Sequence, residues 1–180
     1  MHVLLTSRLT LRPPALPDAE DIALWLNNWN VARMLGPVPF PYWAADAEDW
    51  IAGLADRPHG LVYTIHRERL IGVVSLEGDA GEPRLGYWLG EAWHGHGFMT
   101  EAAGALIAHA FATRGIHAIS SSVFADNPAS MRVQEKLGFV VSGARQTWSR
   151  SRQAQVPTWT TRLTATAFAR TMETERKAAA

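Results

Sequence analysis

Cysteine is absent from this chain of 180 residues. Its absence excludes disulfide bonds, thiolate metal sites and a covalent cysteine intermediate, so acyl chemistry needs another nucleophile or none from the protein. Net charge is absent too, because 17 Lys and Arg residues balance 17 Asp and Glu residues. A neutral chain lacks the electrostatic footprint of a protein that binds nucleic acid or an anionic membrane, and we expect neither partner.

Long apolar runs are also missing. No stretch approaches the ~20 residues that cross a bilayer, although 47% of the residues are hydrophobic. Residues 1–5 are too few, and lack the basic start, for a signal peptide. These features predict a cytoplasmic protein, and the length predicts a single domain over residues 1–180.

Tryptophan, in contrast, is abundant, with 8 residues in the chain. Four lie close together in the first third, namely Trp25, Trp29, Trp43 and Trp50. Tryptophan combines a large apolar surface with one polar N–H group. We therefore expect these four to form core and the wall of a cleft.

Hydrophobic periodicity predicts a mixed α+β chain around one twisted sheet, without internal repeats. Strands are predicted at residues 8–12, 61–66, 70–76, 84–89, 116–124, 139–144 and 157–163. Helices are predicted near residues 16–26, 27–35, 46–54, 98–111 and 128–137. The charged and alanine-rich tail from Glu173 to Ala180 is expected to fray.

A glycine pair, Gly95 and Gly97, lies between the strand that ends at Gly90 and the helix from Phe98. The first N–H groups of a helix have no intrahelical partner and lie at the positive end of its dipole, which suits phosphate. A side chain on either glycine would hold phosphate away. The nucleotidase and dinucleotide fingerprints fail, because Thr100 stands where the latter needs a third glycine. A tight packing turn is the alternative.

A second motif follows, in which Asn127 and Pro128 supply an N-cap and a first helical residue, and Gly138 ends the helix. It belongs to an ordered set of segments: SRLTLRPP, FPYWAADAEDWI, LGYWLGEAWHGHGFMTEA, NPASMRVQEKLGF and VPTWTTRLT. This set resembles the GNAT superfamily of acetyl-CoA-dependent N-acetyltransferases, and most closely its RimJ and RimL type branch of ribosomal-protein N-terminal acetyltransferases. The likeness covers nearly the whole chain.

The resemblance implies a GNAT-like fold, a mixed and mostly antiparallel sheet of about seven strands with helices on both faces. It also implies acetyl-CoA as co-substrate, with the pantetheine arm paired to a strand that splays from its neighbour. Pyrophosphate is expected on the amides of the glycine turn. The implied cofactor-binding residues are Trp88, Leu89, Gly90, His94, Gly95, His96, Gly97, Phe98, Met99, Thr100, Asn127, Ser130 and Arg132.

Metal binding by His94 and His96 is a competing interpretation of the glycine turn. We expect no metal, because no further histidine or carboxylate lies at a clear ligand spacing.

The implied chemistry is direct attack of an amine on the thioester, with a protein N-terminus or a small molecule as acceptor. A backbone N–H near Leu89 would hold the oxyanion, and the Ser130 hydroxyl would hydrogen-bond the sulfur. Asn127 would contact the cofactor or simply cap its helix. Relatives often carry Tyr where this chain has Gln134 and Glu where it has Arg84.

The general base is the weakest part of this scheme. Glu101 and Glu82 are the carboxylate candidates, but a carboxylate in the first turn of a helix is also stabilised by the dipole. A water relay to solvent is the preferred hypothesis. Gln134 and Arg84, which stand where relatives often carry Tyr and Glu, leave open the hypothesis of a non-catalytic acetyl-CoA-binding module. A purely structural domain is a third hypothesis. We expect a monomer or homodimer whose acceptor site is walled by the loop at 149–152.

Overall fold

The chain folds around one sheet of eight strands, in a computed structural model that describes residues 3–56 and 60–178. The strands are β1 (Leu4–Leu5), β2 (Thr10–Arg12), β3 (Leu61–His66), β4 (Leu70–Glu77), β5 (Arg84–Leu89), β6 (Ala118–Phe124), β7 (Val140–Ser149) and β8 (Ala154–Thr164). The helices are α1 (Ala19–Leu26), α2 (Trp29–Ala32), α3 (Ala44–Ala52), α4 (Phe98–Thr113), α5 (Pro128–Leu137) and α6 (Ala165–Ala178). Short 3₁₀ turns lie at Leu16–Asp18 and Glu91–Trp93.

The strand order is β1-β2-β3-β4-β5-β6-β8-β7, and every neighbouring pair is antiparallel except β5 and β6. These two strands run parallel and share a single register pair, Arg84 with Ser120, among the described residues. Beyond that pair they separate toward Leu89, the last residue of β5. A gap therefore opens inside the sheet at the carboxyl end of β5.

Helices cover both faces of the sheet. On one face, α4 buries a stripe that includes Phe98 and Leu106, and α5 and α6 add Leu137 and Phe168 to the same core. On the other face, α1, α2 and α3 form a smaller core with Leu70 of β4. The predicted arrangement of helices on both faces of one sheet is confirmed.

The ends of α5 follow their sequence signals. Oδ1 of Asn127 accepts the N–H of Ser130 at 3.0 Å, so the asparagine caps the helix. Gly138 ends it with a φ of +91°, a conformation that L side chains rarely adopt. A Cβ on Gly138 would also lie 2.5 Å from Oγ1 of Thr171, so this position needs glycine on steric grounds as well.

The strands differ from the prediction at both ends of the chain. The two-residue strand β1 is an eighth strand, which the sequence pattern could not reveal because two residues are too few to show alternation. Strands β7 and β8 extend to Ser149 and from Ala154, so both are longer than predicted, and the predicted loop is the turn between them.

The tail is helical where fraying was expected, because α6 continues to Ala178. Within it, Nζ of Lys177 lies 2.6 Å from Oε1 of Glu173, a pair at i and i+4 that supports the helix. The parts of the terminal predictions that concern residues 1, 2, 179 and 180 lie outside the described residues. None of the helices in the described ranges combines the length and apolar character needed to cross a membrane.

Candidate functional site

An open cleft of about 1880 Å³ lies at the gap between β5 and β6. Its wall combines β5, the turn before α4, the start of α5, the segments around α2 and α3, and the β7–β8 hairpin. The cleft brings together most of the predicted site residues: Trp88, Leu89, His94, Gly95, Gly97, Phe98, Met99, Thr100, Asn127, Ser130 and Arg132. Gly90, His96 and Glu101 are not among its lining residues.

The pairing of β5 decides which of its main-chain groups face the gap. The N–H of Gly90 donates to the carbonyl of Ile71 on β4 at 2.9 Å, and residues of an antiparallel strand alternate in the side toward which they bond. Gly90 and Trp88 therefore turn their main-chain groups toward β4, whereas Leu89 and Tyr87 turn theirs toward the gap. The main-chain groups of Trp88 and Gly90, expected to pair with the pantetheine arm, thus bond toward β4, and those facing the gap belong to Tyr87 and Leu89.

Gly90 has a different reason to be glycine. A Cβ there would lie 2.5 Å from ring atoms of Trp25. The Trp25 ring is held in place because its Nε1–H donates to the carbonyl of Leu70 at 2.9 Å. Gly90 therefore permits close packing between the end of β5 and α1.

The turn before α4 has the geometry of an anion site. Gly95 and Gly97 have φ values of +81° and +78°, in the region that favours glycine. No described atom lies within 4 Å of a Cβ built on Gly95, so that space is open. Phe98 and Met99 bury their side chains and anchor the helix start. A side chain on either glycine would fill the space in front of the α4 amides.

Arg8 places its guanidinium at this turn, where it is also paired with the Glu101 carboxylate, and the sequence pattern did not predict its place. Its Nη1 donates to the carbonyl of His96 at 3.1 Å, and its guanidinium lies 4.7 Å from the centroid of the Phe98 ring. The guanidinium of Arg67 lies 5.4 Å from the same ring. The signal was present in the first quoted segment, SRLTLRPP, whose first arginine, Arg8, had no assigned role.

The two histidines of the turn point to separate partners. Nε2–H of His94 donates to the carbonyl of Leu89 at 2.9 Å, which engages that oxygen and leaves the Leu89 N–H facing the gap. The ring of His96 lies beside Phe98, with centroids 5.6 Å apart. Within the described residues, no group of three or more His, Cys, Asp or Glu side chains could hold a metal ion.

Glu101 is saturated with hydrogen bonds. Its Oε1 accepts from Thr6 Oγ1 at 2.6 Å, Ser7 Oγ at 3.0 Å and Arg8 N at 3.0 Å, and Oε2 accepts from Arg8 Nε at 2.7 Å. Burial raises the pKa of Glu101, but these bonds outweigh burial and hold the pKa below its usual value. The carboxylate ties the first segment of the chain to α4 and is poorly suited to act as a base.

Glu82, the other carboxylate considered as a base, is not in the cleft wall. Both its oxygens accept from Arg162 at 2.9 Å, and these hydrogen bonds lower its pKa. Arg84, at a position where relatives often carry glutamate, lines the cleft and donates from Nη2 to Ser122 Oγ at 2.9 Å. Neither carboxylate is placed to take a proton from an amine in the cleft.

Ser130 lies in the cleft wall and contacts Tyr87, a residue that the sequence analysis missed. The Tyr87 hydroxyl lies 2.8 Å from Ser130 Oγ and donates to the Ser130 carbonyl at 3.1 Å. The available signal was the place of Tyr87 two residues before Leu89, on the strand predicted to splay. Asn127 uses Oδ1 for its cap, and no described group binds its NH₂ donors.

Gln134 is buried at 1% exposure and joins α5 to two strands. Its Nε2 donates to Ser121 Oγ on β6 at 2.8 Å, and its Oε1 accepts from Thr161 Oγ1 on β8. Both ends of the amide are therefore engaged in the core. The residue at the position where relatives often carry tyrosine is a structural cross-link in this chain.

The tryptophan-rich segment forms only part of the cleft. Trp50 and Trp88 line it, and Trp25 is partly buried against Gly90. Trp29 and Trp43 are 44% and 61% exposed and do not line the cleft, so the prediction of core or cleft wall is wrong for these two.

The tip of the β7–β8 hairpin is hydrogen-bonded to the last residue of α2 and to the residue after it. Ser151 Oγ donates to the carbonyl of Ala32 at 3.0 Å, and Nε of Arg152 donates to the carbonyl of Arg33. Arg152 also donates from both terminal nitrogens to the Asp126 carboxylate, at 2.7 and 3.2 Å. Of the predicted loop, Arg150 lines the cleft. We call the contacts of Ser151 and Arg152 the hairpin clasp.

The sequence model for an acetyltransferase (GNAT) domain matches residues 8–140. That span begins at Arg8 and includes the glycine turn and all of α5, so it covers most of the cleft wall. The chain belongs to the GNAT acetyltransferase family. The GNAT prediction is thus confirmed, and with it acetyl-CoA as the co-substrate of the family's reaction.

Several proteins show how far the GNAT likeness extends. The uncharacterized N-acetyltransferase YoaA of Bacillus subtilis is 31% identical over 150 residues, covering 78% of this chain and 84% of YoaA. The probable N-acetyltransferase YjcK of the same organism is 39% identical over 89 residues, covering 47% of this chain and 49% of YjcK. This chain therefore matches about half the length of YjcK.

Among solved structures, RimL, a ribosomal-protein α-N-acetyltransferase in complex with coenzyme A, superimposes with a TM-score of 0.81. The match covers 92% of this chain and 99% of RimL at 19% identity. At that identity the match supports a shared fold, and it agrees with the GNAT assignment.

Proposed function

We propose that this GNAT protein is an N-acetyltransferase that moves acetyl from acetyl-CoA to a primary amine by direct attack in a ternary complex. The observation that carries the proposal is the gap between β5 and β6, bordered by the backbone of Tyr87 and Leu89 and by the glycine turn. A chain without cysteine has no thiol to carry the acetyl group itself. That absence favours direct transfer.

The residues of the cleft fit the co-substrate. The open space beside Gly95 leaves room for pyrophosphate on the α4 amides, and Arg8 Nη2 lies 3.5 Å from where a Cβ on Gly97 would be. The Thr100 hydroxyl would add a donor. Arg132 and Lys136 are exposed on α5 and line the same cleft, where they would meet the remaining phosphate of the co-substrate. The pantetheine arm would pair with the main chain of β5 that faces the gap.

Leu89 and Ser130 would act on the reacting group. When bound, the co-substrate supplies a thioester that an amine can attack. The N–H of Leu89 would stabilise the negative charge that develops on the carbonyl oxygen, and the Ser130 hydroxyl would donate to the leaving sulfur. Proximity in the cleft and these donors would supply most of the rate.

The proton of the acceptor would leave through water. Glu101 and Glu82 both accept hydrogen bonds from other groups and have lowered pKa values, so neither would act as the general base. An open cleft gives water access to the acceptor amine.

The acceptor would approach from the side of α2, α3 and the hairpin clasp. Trp50 and Trp88 offer aromatic surface there, which suits an apolar or flat acceptor. A protein N-terminus and a small-molecule amine are both candidates, and the ribosomal-protein α-N-acetyltransferase RimL, which shares the fold, supports the first. We further propose that the chain acts in the cytoplasm as one domain, as a monomer or homodimer.

The first experiment is a calorimetric titration of the protein with acetyl-CoA and with desulfo-CoA. Gly97→Glu would place a carboxylate in front of the α4 amides, where close like charges cost several kcal/mol and binding would weaken by ~100-fold or more. Gly115→Glu is the matched control, because Gly115 also has a positive φ but lies beyond the other end of α4.

A screen of amines on the wild type then separates the hypotheses. Turnover with N-terminal peptides or with small amines supports the enzyme and identifies its acceptor class. Binding without turnover on any amine supports the non-catalytic module. No binding of acetyl-CoA in the wild type would overturn the proposed function and leave only a structural domain.

A further inference from the structure

Tyr87 places a hydroxyl at a contact between β5 and the first turn of α5 across the gap. Its side chain lies on the same face of β5 as those of Leu85 and Leu89, which belong to the core under α4. From there its hydroxyl reaches two atoms of Ser130, Oγ at 2.8 Å and the carbonyl oxygen at 3.1 Å. The contact joins residues 43 positions apart in the chain.

The two contacts give the hydroxyl pair two arrangements. When Tyr87 donates to the Ser130 carbonyl, Ser130 Oγ–H can donate to the tyrosine oxygen. When Tyr87 donates to Ser130 Oγ instead, the serine proton is free for a third group. Among the described residues, Ser130 Oγ has no other hydrogen-bond partner, so Tyr87 alone orients it.

The surroundings keep Tyr87 in its protonated form. Desolvation raises the pKa of Tyr87, and the nearby Ser130 and Gln134 side chains lower it by less. A phenol whose pKa lies above about 10 carries its proton throughout the neutral range. Gln134 itself has no proton to transfer, and both ends of its amide are already bonded to strands.

We propose that Tyr87 is a positioning residue that turns the hydroxyl of Ser130 toward the sulfur of the departing coenzyme A. This inference rests on the proposed function. As the C–S bond breaks, its electron pair goes to sulfur, Ser130 Oγ–H donates to the thiolate, and Tyr87 O–H donates to Ser130 Oγ. No phenolate forms, because both hydroxyls keep their protons. The thiolate then takes a proton from water, balancing the one that the acceptor nitrogen releases.

A chain of two hydroxyls is a stronger donor to an anion than a lone serine. Each hydrogen bond polarises the next, and bonds to a charged group are about twice as strong as neutral ones. The chain therefore stabilises the thiolate more than the thiol and should lower the pKa of the bound coenzyme A thiol. This effect needs no acceptor, so it can be measured apart from turnover.

The absence of cysteine makes that measurement clean, because coenzyme A supplies the only thiol in the complex. The rate of alkylation of protein-bound coenzyme A by iodoacetamide is followed against pH, and its midpoint reports the thiol pKa. We compare wild type, Tyr87→Phe, Ser130→Ala and the double variant. Tyr63→Phe is the control, since Tyr63 is a buried tyrosine of β3 whose hydroxyl has no hydrogen-bond partner among the described residues.

In the wild type and in Tyr63→Phe we expect a midpoint about one unit below that of free coenzyme A, equivalent to about a tenfold higher thiolate ratio. Tyr87→Phe should reverse at least half of that difference with unchanged affinity for coenzyme A. The double variant should match Ser130→Ala, because Tyr87 acts through Ser130.

Other outcomes overturn the inference. A Tyr87→Phe midpoint equal to that of the wild type, or a loss of affinity with an unchanged midpoint, means that the hydroxyl only supports the strand. A double variant displaced beyond Ser130→Ala means that Tyr87 acts independently. If coenzyme A does not bind the wild type, the proposed function itself fails and this inference fails with it.

Discussion

Replacing Gln134 with leucine tests whether this residue is the structural cross-link that its contacts indicate. The side chain is 1% exposed and of similar size to leucine, so the change removes two hydrogen bonds and creates little empty space. Thr161 Oγ1–H, also in a buried residue, loses its only acceptor, which costs about 1–3 kcal/mol. Ser121 Oγ still donates to the Leu85 carbonyl at 3.0 Å and loses only the hydrogen bond that it accepted from Gln134, at a cost of about 0.5–1 kcal/mol.

The expected loss is therefore about 2–3 kcal/mol of the free energy of unfolding. Urea unfolding followed by tryptophan fluorescence measures it, with the slope m unchanged because the same surface is exposed. Adding Thr161→Val to Gln134→Leu removes the unpaired hydroxyl and should recover about 1–2 kcal/mol. Thr147→Val tests the same cost separately, because the Thr147 hydroxyl is buried and has no hydrogen-bond partner among the described residues, so its removal should raise the free energy of unfolding by about 1–2 kcal/mol.

A loss below about 0.5 kcal/mol in Gln134→Leu would refute the reasoning, because a surface substitution typically has an effect of that size. Failure of Thr161→Val to restore any stability would also refute it. In that case the cost of the leucine would lie in packing, and the amide would have no cross-linking role.

Three further predictions follow from the charged and phenolic groups. The pKa of Glu101 is lowered in the fold, so its contribution to stability is complete above the unfolded pKa of about 4.3 and is lost as the pH falls through the folded pKa. Glu101→Gln should therefore reduce the fall in the free energy of unfolding at acid pH. An unchanged fall at acid pH contradicts this. Burial, with Asp46 next, raises the pKa of Tyr42 to about 12, and burial also raises those of Tyr63 and Tyr87. A spectrophotometric titration of the native protein should therefore show no tyrosinate near pH ~10, where the unfolded chain titrates, and native stability should fall above that pH. Arg152→Ala removes the hydrogen bonds of the hairpin clasp and should raise the KM for the acceptor about 3- to 10-fold, as expected for ~1 kcal/mol, with the Kd for acetyl-CoA unchanged. Equal effects on both constants would mean that the clasp only stabilises the fold.

Much of the site could be predicted because its signals are local. The glycine turn and the capping residues Asn127 and Gly138 depend on backbone conformation over a few residues, which the sequence displays directly. The helices α4 and α5 accordingly begin where they were predicted. Trp29 and Trp43 were misplaced because tryptophan marks large apolar surface without saying whether a partner covers it.

Contacts between distant segments were not predictable. Glu101 was a candidate base until Thr6, Ser7 and Arg8, more than 90 positions earlier, were found to bind its carboxylate. Nothing local to a first-turn glutamate reveals such partners. The alternation of β5, which turns Tyr87 rather than Trp88 toward the gap, likewise depends on pairing with β4.

The amino-acid sequence by itself determined most of the α+β elements and the turn suited to phosphate, because these rest on periodicity, capping and backbone freedom within short segments. It also carried the ordered set of segments that resembles the GNAT family. The tertiary structure alone decided which groups face the gap, which carboxylates are already engaged, and that Tyr87 meets Ser130. Those facts depend on strand register and on contacts between residues far apart in the chain, which no local pattern encodes.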